Sequence, residues 1–172
     1  PVQIVSSGVT AISAGGSHSL FLMTDGSLWG MGCNSDGELG LGDEITDSQY
    51  ARTQIVPSGV TAISAGRSHS LFLMTDGSLW GMGCNGDGEL GLGDEITYSQ
   101  YAPTQITLCG VTAISAGSCN SMFLKNKFTV TFLEGQNGSI TGSQVQTVVY
   151  GEDCSIVTAV PSPEYHFVNW TK

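Results

Sequence analysis

Short apolar runs alternate with glycine-rich turns along most of the chain. In one unit, a run of small residues, GVTAISAG (Gly8–Gly15), precedes SHSLFLM (Ser17–Met23), where larger apolar side chains come together. TDGS (Thr24–Ser27) then interrupts the pattern before SLWGMG (Ser27–Gly32). Asp-Gly favours a type I′ turn, because both central residues of that turn have positive φ. The pattern therefore predicts a hairpin between two strands.

The unit continues with a long loop and one further strand. NSDGELGLGDE (Asn34–Glu44) is rich in glycine and acids, and ARTQIV (Ala51–Val56) leads into the next unit. Four short strands result, and no segment keeps the 3.6-residue period of an amphipathic helix. The 24 glycines and only 5 Lys and Arg residues agree with an all-β chain.

Shifted by 51 positions, the sequence overlays itself. A third copy, residues 103–124, matches the second at 14 of 22 positions, and the register breaks at Lys125. Such periods are typical of solenoids and propellers, and four strands per repeat is the count of a propeller blade. We therefore predict a partial β-propeller of about two and a half four-stranded blades. Residues 1–51 and 52–102 differ only at Pro1/Arg52, Val2/Thr53, Ser6/Pro57, Gly16/Arg67, Ser35/Gly86 and Asp47/Tyr98.

Side-chain size differs between the strands of a repeat. Trp29 and Trp80 are expected to pack blade against blade, with a hydrogen-bond acceptor for each indole N–H. The first strand should lie where the blades converge, because its side chains are small: Ala11, Ser13, Ala14 and Gly15. Larger side chains should fill the space between the blades: Leu20, Leu22, Trp29 and Met31.

VTAISAGGSHSLFLMTDGSLWGMGCNSDGELGLGD resembles the regulator of chromosome condensation repeat family over residues 1–124. The resemblance implies a seven-bladed propeller that acts as a protein-binding scaffold. Two features depart from the family pattern. Glu38 and Glu89 stand where the family usually has Gln, and Asn120 stands where His18 and His69 occur in the first two copies.

The composition changes after residue 124, and residues 125–172 are predicted to form a second domain. TVTF, GQNGSIT, QTVVYGE and VTAVPSPEYHFVNW resemble divergent internalin-type B-repeats of bacterial surface and secreted proteins. That family implies a small β-grasp-like module outside the cell, here expected to lack its last strand. Three or four short strands are predicted from alternating residues: Val130 and Phe132, Val145, Thr147 and Val149, and Ile156 and Thr158.

The formal net charge of −10 restricts the partners. Residues 1–124 carry 11 acids and 2 bases, a net charge of −9, whereas residues 125–172 carry 4 acids and 3 bases, a net charge of −1. A surface of this sign repels phosphate backbones, so we expect no nucleic-acid partner. No apolar run reaches the roughly 18 residues of a membrane-spanning helix, so no membrane insertion is expected.

The five cysteines are expected to be free thiols, most of them acting as small buried fillers. An odd count leaves at least one unpaired. Cys33 and Cys84 hold equivalent places in successive repeats, too far apart for a disulfide, and Cys109 and Cys119 flank a predicted strand. Free thiols point weakly to a reducing or anaerobic setting.

Catalytic and metal chemistry find little support in the sequence. His18 and His69 recur with the repeat and adjoin no orienting carboxylate, which favours a hydrogen-bonded scaffold role. The acidic loops lack the EF-hand spacing, and turn formation or solubility explains their acids equally well. We predict no cofactor, no metal and no enzymatic activity. The weak candidates for cation ligands are Asp36, Asp43, Asp87 and Asp94.

Propeller function usually resides on the loops. Positions that differ between the copies, with the tyrosines that follow the acidic loops, are candidate partner contacts, although neutral drift explains the differences equally well. The candidates are Asp47, Tyr50, Arg67, Tyr98 and Tyr101.

Two and a half blades cannot close a ring, so exposed sheet edges favour either a longer parent protein or self-association. We expect a fragment of a larger bacterial secreted or cell-surface protein. Its expected function is a non-enzymatic scaffold that binds a protein or glycan partner. The alternatives are a guanine-nucleotide exchange propeller and a structural spacer on the cell surface.

Overall fold

The computed structural model describes residues 3–93, 96 and 98–170. The chain forms two compact units, Pro1–Lys125 and Asn126–Lys172. Within the described residues every regular element is a strand, as the sequence predicted, and no helix could cross a membrane.

The first unit contains two four-stranded antiparallel sheets and one two-stranded sheet, each in sequential strand order or its reverse. The first blade consists of β1 (Val9–Ala14), β2 (His18–Met23), β3 (Leu28–Gly32) and β4 (Gln49–Val56). The second blade consists of β5 (Val60–Ala65), β6 (His69–Met74), β7 (Leu79–Gly83) and β8 (Gln100–Thr107). The half-blade consists of β9 (Val111–Ala116) and β10 (Ser121–Lys125). The prediction of about two and a half blades is confirmed.

Strand register gives each blade two faces with different side chains. Ser13 pairs with Leu20, which pairs with Gly30, and these residues share one face. Their neighbours Ile12, Phe21 and Trp29 pair across the same strands and share the other face. The second blade repeats this register 51 residues later. We call the face that holds Leu20 the trailing face and the face that holds Phe21 the leading face.

The hairpin between β2 and β3 differs from the predicted type I′ turn. Gly26 N donates to Met23 O at 3.0 Å, and Met23 N donates to Ser27 O at 3.0 Å. Only Gly26 has positive φ, at 78°, because Asp25 stays in the ordinary region. This combination is a type I turn followed by a glycine bulge, which places the Asp-Gly pair one position later than a type I′ turn requires.

The apolar core lies between the blades rather than within one sheet. Leucines on the trailing face of the first blade pack against the leading face of the second, and the second blade packs against the half-blade in the same way. The first interface contains Leu20, Leu22, Leu28 and Leu39 with Val60, Phe72 and Met82. The second contains Leu71, Leu73, Leu79 and Leu90 with Val111. The predicted roles of Leu20 and Leu22 are confirmed.

The two tryptophans differ in their surroundings. Trp80 packs against the core between the blades, as predicted. The prediction is wrong for Trp29, because no blade among the described residues covers the leading face of the first blade. Trp29 instead stacks on Phe21, with ring centroids 6.5 Å apart, and the Arg52 guanidinium lies 5.5 Å from its ring centroid.

The second unit contains two small antiparallel sheets. β11 (Lys127–Thr131) pairs with β13 (Val145–Val149), and β12 (Gly138–Thr141) pairs with β14 (Thr158–Pro161). The predicted number of strands in this region is confirmed. Gln146 is its buried polar residue, and the Gln146 side chain binds the backbone of Ser143 and Ser155.

All five cysteines are free, as predicted, but their expected role as buried fillers is wrong. Cys119 is exposed, and the other four are only half-buried. Cys33 and Cys84 directly follow β3 and β7, so they lie in loops rather than inside strands.

Candidate functional site

Within the described part of the first unit, the long loops lie at one end of the blades. The antiparallel strand order places the β1–β2 turn, residues 15–17, and the β3–β4 loop, residues 33–48, at the same end. The hairpin at residues 24–27 lies at the opposite end, together with the connection at residues 57–59. We call the first end, with its equivalents in the second blade, the loop face.

The five candidate partner contacts all belong to the loop face. Arg67 lies in the turn between β5 and β6, and Asp47 and Tyr98 precede β4 and β8. Tyr50 and Tyr101 are the second residues of those strands. Tyr50 is 98% exposed and Tyr98 is 68% exposed, whereas Tyr101 is half-buried. Asp47 and Arg67 are exposed.

Differences between the repeats are confined almost entirely to the surface. Among the described members of the differing pairs, Thr53 is half-buried and every other residue is exposed. Three of the pairs lie on the loop face: Gly16/Arg67, Ser35/Gly86 and Asp47/Tyr98. The buried side chains between the blades are therefore kept in both copies, while the loop face changes.

Arg67 is held by its backbone while its side chain remains exposed. Gly16 N lies 3.2 Å from the carbonyls of both Gly66 and Arg67, and Arg67 N donates to Gly117 O at 3.2 Å. These hydrogen bonds join the β1–β2, β5–β6 and β9–β10 turns across the blades. Among the described residues of the loop face, this backbone holds the arginine as the one Lys or Arg side chain beside the acids.

The acidic loop of each blade is fixed from within by buried polar side chains. Asn34 Oδ1 accepts a hydrogen bond from Leu39 N at 2.8 Å, and Asn34 Nδ2 donates to Ile45 O. Glu38, also buried, accepts a hydrogen bond from Asp36 N at 3.0 Å. Asn85 and Glu89 make the same contacts in the second blade. The sequence interpretation missed this role of the asparagines. An Asn that precedes a glycine-rich loop could have predicted it, because Asn side chains often bind nearby backbone groups.

Tyr101 has a structural contact that Tyr50 lacks. Gly42 N, in the acidic loop of the first blade, donates to Tyr101 O at 2.8 Å, so this loop rests on the start of β8. Tyr50 holds the equivalent place in the first blade, where no preceding loop lies among the described residues, and its side chain is open.

The two buried histidines tie neighbouring blades together. His18 Nε2 lies 2.9 Å from Ser70 Oγ, and His69 Nε2 lies 2.9 Å from Ser121 Oγ. Ser13 Oγ accepts a hydrogen bond from Ala65 N at 2.9 Å across the same interface. The predicted scaffold role of the histidines is confirmed.

The weak metal candidates are not gathered into one site. Within the described ranges, the three side chains placed close enough to share an ion are Asp87, Glu89 and Cys119, whose ligand atoms lie within 4.8 Å of one another. Asp36 and Asp43 belong to no such group, and Asp94 lies outside the described residues. Cys119 is the counterpart of Ser68 in the preceding repeat. The acidic loop of the first blade therefore has a serine, not a cysteine, at the corresponding position of its neighbouring blade.

The half-buried thiol of Cys84 is poorly suited to nucleophilic chemistry. Burial, and to a smaller extent the nearby Glu89 carboxylate, raises the pKa of the Cys84 thiol. A raised pKa keeps the sulfur protonated, and the thiolate is the reactive form.

Consecutive four-stranded blades with apolar contacts between neighbouring faces define the class of protein: this is a β-propeller repeat protein. The models of the regulator of chromosome condensation (RCC1) repeat match residues 9–38 and 60–89 in one version, and 25–73 and 76–124 in another. The chain belongs to the RCC1 repeat family. The divergent InlB B-repeat domain matches residues 128–172.

Relatives and solved structures agree with this assignment. Protein RCC2 of Mus musculus is 33% identical over 129 residues, which are 73% of this chain and 24% of that protein. The chain therefore spans about a quarter of that relative's length. Yeast RCC1 (Prp20), solved with Kap60, matches with a TM-score of 0.60 at 21% identity, over 73% of this chain and 31% of that one. A structure of Prp20p from Saccharomyces cerevisiae, described with its binding to Gsp1p and histones, matches with a TM-score of 0.51 at 22% identity. The match covers 90% of this chain and 38% of that one.

Proposed function

We propose that this chain is part of a non-enzymatic scaffold that binds a protein partner through the loop face of its blades. The observation that carries the proposal is the distribution of differences between the repeats. The interior is kept in both copies, whereas the loop face presents Arg67 and Tyr98 in the second blade against Gly16 and Asp47 in the first. Exposed tyrosine and arginine side chains are the residue types that most often anchor protein interfaces.

The charge of the loop face favours a partner with a basic surface. Asp43, Glu44 and Asp47 are exposed in the acidic loop of the first blade. Complementary charge accelerates association and selects among partners. A glycan partner is the second candidate for the same surface, because exposed tyrosines also suit sugar rings.

The test uses substitutions that exchange one repeat's residue for the other's. Arg67→Gly and Tyr98→Asp each install the first-blade residue on the loop face, and Pro57→Ser does the same at the opposite end of the blade. The chain would be titrated against protein and glycan arrays, and saturable hits measured by calorimetry. Loss of binding in the first two variants, with binding retained in Pro57→Ser, supports the proposal. A saturable ligand that all three variants bind equally contradicts it, and the absence of any ligand favours a structural spacer.

A second candidate function is guanine-nucleotide exchange. The structure of Prp20p is described with binding to Gsp1p, and the chain shares that fold. Faster release of labelled nucleotide from a small GTPase on addition of the chain would support this alternative. A rate equal to that of the GTPase alone would contradict it.

We further propose an extracellular setting on a bacterial surface. The support is the divergent InlB B-repeat domain at residues 128–172. Five free cysteines are unusual for an oxidising compartment, which favours an anaerobic habitat. Protease accessibility of this region on intact cells that express the full gene tests the setting. Protection equal to that of a cytoplasmic marker would contradict it.

A further inference from the structure

Two asparagines of the chain are followed by glycine, in the pairs Asn85–Gly86 and Asn137–Gly138. In such a pair the backbone nitrogen of the glycine can attack the amide carbon of the asparagine side chain, and glycine has no Cβ to hinder the approach. Because the two dipeptides are identical, a difference between their rates of reaction must come from the fold around them.

The side chain of Asn85 is buried and held by the acidic loop of the second blade. Its Oδ1 accepts a hydrogen bond from Leu90 N at 2.8 Å, and its Nδ2 donates to Ile96 O. The residue is only 1% exposed. The amide carbon of Asn85 therefore cannot turn toward Gly86 N unless both hydrogen bonds break and the loop opens.

Asn137 lies in an exposed turn of the second unit, directly before β12. Its carbonyl accepts a hydrogen bond from Ser162 N at 2.9 Å, which holds the main chain. Its side chain is exposed and makes no hydrogen bond within the part of the chain that the structure describes. The amide group of Asn137 is thus free to rotate toward the nitrogen of Gly138.

The nitrogen of Gly138 is also free of the pairing between β12 and β14. Gly138 pairs with Pro161, whereas Asn137 and Ser162 form the neighbouring, hydrogen-bonded pair. Hydrogen-bonded and non-hydrogen-bonded pairs alternate along antiparallel strands, so Gly138 N points away from β14. Among the described strands, β14 is the only one that pairs with β12.

Packing requires the glycine that makes this dipeptide reactive. A Cβ at position 138 would lie 2.8 Å from Val160 O on β14. That oxygen belongs to the main chain of the paired strand and cannot withdraw without loosening the sheet. A side chain that would slow the attack is therefore disfavoured at this position.

We propose that Asn137 is a site of spontaneous deamidation and isoaspartate formation, whereas Asn85 is protected by the fold. Gly138 N forms a bond to Cγ of Asn137, the bond from Cγ to Nδ2 breaks, and the nitrogen leaves as ammonia with the proton of the Gly138 amide. Water then opens the succinimide ring at either carbonyl and leaves aspartate or isoaspartate at position 137. This inference goes beyond the proposed function, which concerns the loop face of the first unit.

The reaction changes the strand pairing of the second unit. Both products carry a negative charge that Asn137 lacks. Isoaspartate also directs the main chain through the former side chain, so the carbonyl that Ser162 N binds becomes part of a carboxylate outside the main chain. We expect the reacted chain to hold β12 and β14 together less firmly, and to be cleaved faster by protease in this unit.

Peptide mapping of the full chain by mass spectrometry tests the inference. One sample is aged folded, in mildly alkaline buffer under reducing conditions, and a second is aged in denaturant. In the folded chain Asn137 should react at least about tenfold faster than Asn85, because two hydrogen bonds must break before Asn85 can react. In denaturant the two asparagines should react at similar rates, since the fold no longer protects Asn85.

Asn126 is the matched control for the dipeptide. It is exposed and precedes β11, and its carbonyl accepts a hydrogen bond from Tyr150 N at 2.9 Å, but Lys127 follows it. Asn126 should therefore react more slowly than Asn137 in both samples. Asn137→Gln should abolish the reaction at that site, because the longer side chain would have to close a larger, less favourable ring. Asn126→Gln should leave the rate at Asn137 unchanged.

Two results overturn the inference: equal rates at Asn137 and Asn85 in the folded chain, or a rate at Asn137 no higher than that at Asn126. Equal proteolysis of the aged chain and of aged Asn137→Gln would contradict the expected loosening of β12 and β14. None of these results bears on binding through the loop face, so the two proposals fail separately.

Discussion

The imidazole Nε2 of His18 lies 2.9 Å from the hydroxyl of Ser70, one repeat further along the chain. Ser70 in turn donates to the carbonyl of Glu38 at 2.7 Å, so three segments from two blades meet at one buried hydroxyl. Burial, with electrostatic repulsion from His69 as a smaller cause, lowers the pKa of His18 from 6.5 to about 4. The neutral imidazole is therefore the form that the folded blades require.

Acid should weaken the contact between the blades. Between pH 6.5 and 4 the unfolded chain binds a proton at His18 that the folded chain does not, so the free energy of unfolding falls as the pH drops through this range. A pKa lowered from 6.5 to about 4 corresponds to a loss of up to about 3 kcal/mol in the free energy of unfolding. Urea denaturation followed by tryptophan fluorescence at a series of pH values measures it.

The matched variant separates His18 from other titrating groups. His18→Asn installs the residue that the third repeat carries at Asn120, and it should reduce the stability at pH 7 and lessen its dependence on pH. The remaining dependence comes from His69, whose pKa is also lowered by burial. His166→Asn alters an exposed histidine of the second unit and should leave the dependence unchanged. An equally steep dependence in His18→Asn would show that the buried imidazole is not its source.

Close approach of the blades should make Gly66 intolerant of any side chain. A Cβ at this position would lie 2.6 Å from His69 Nδ1 and 2.7 Å from Gly117 O. The backbone oxygen belongs to the next repeat and cannot withdraw, so Gly66→Ala should lower the free energy of unfolding by at least about 2 kcal/mol. Gly86→Ala is the control, because the nearest atom to its Cβ is Cys84 Sγ at 3.9 Å. Equal stabilities of the two variants would contradict the packing described here.

The hydroxyl of Ser78 should be needed for the tryptophan between the blades. Trp80 Nε1 donates to Ser78 Oγ at 2.9 Å, and the backbone N of Ser78 donates to Asp76 Oδ1 at 2.9 Å. Ser78→Ala leaves a half-buried indole N–H without its acceptor, at a cost of about 1–3 kcal/mol. Chemical denaturation measures the cost, with Ser58→Ala at an exposed position as the control. No difference between the variants would mean that water replaces the hydroxyl.

Sequence alone predicted the strands, their number per repeat and the role of Leu20 between the blades, because repetition and alternation set these features directly. The turn at Gly26 was predicted in the wrong class, since Asp-Gly fits both a type I′ turn and a glycine bulge and only the backbone decides between them. The place of Trp29 was also predicted wrongly. Burial of Trp29 between blades requires a second blade against the leading face. A periodic pattern predicts a neighbour on both sides of every repeat, whether or not one is present.

The candidate site was predictable only as a set of residues. Differences between copies identified Arg67 and Tyr98, but their common placement on the loop face follows from strand order, which spacing does not give. The neighbourhood of Glu89 and Cys119 was not predictable, because these residues lie in different repeats and meet through blade packing.

The acidic loops should keep their form without calcium. Asn34 and Glu38 already bind the loop backbone from inside, so the fold of the loop does not depend on an ion to gather its carboxylates. We expect the thermal midpoint to be the same in excess calcium and in chelator. Asn34→Ala should lower it, because the side chain's hydrogen bonds to Leu39 N and Ile45 O are lost. Ser35→Gly installs the residue of the second repeat at an exposed neighbouring position, and it should leave the thermal midpoint unchanged. A midpoint that rises with calcium in the unaltered chain, and no longer rises when Asp36 and Asp43 are changed to Asn, would instead establish the loop as a cation site.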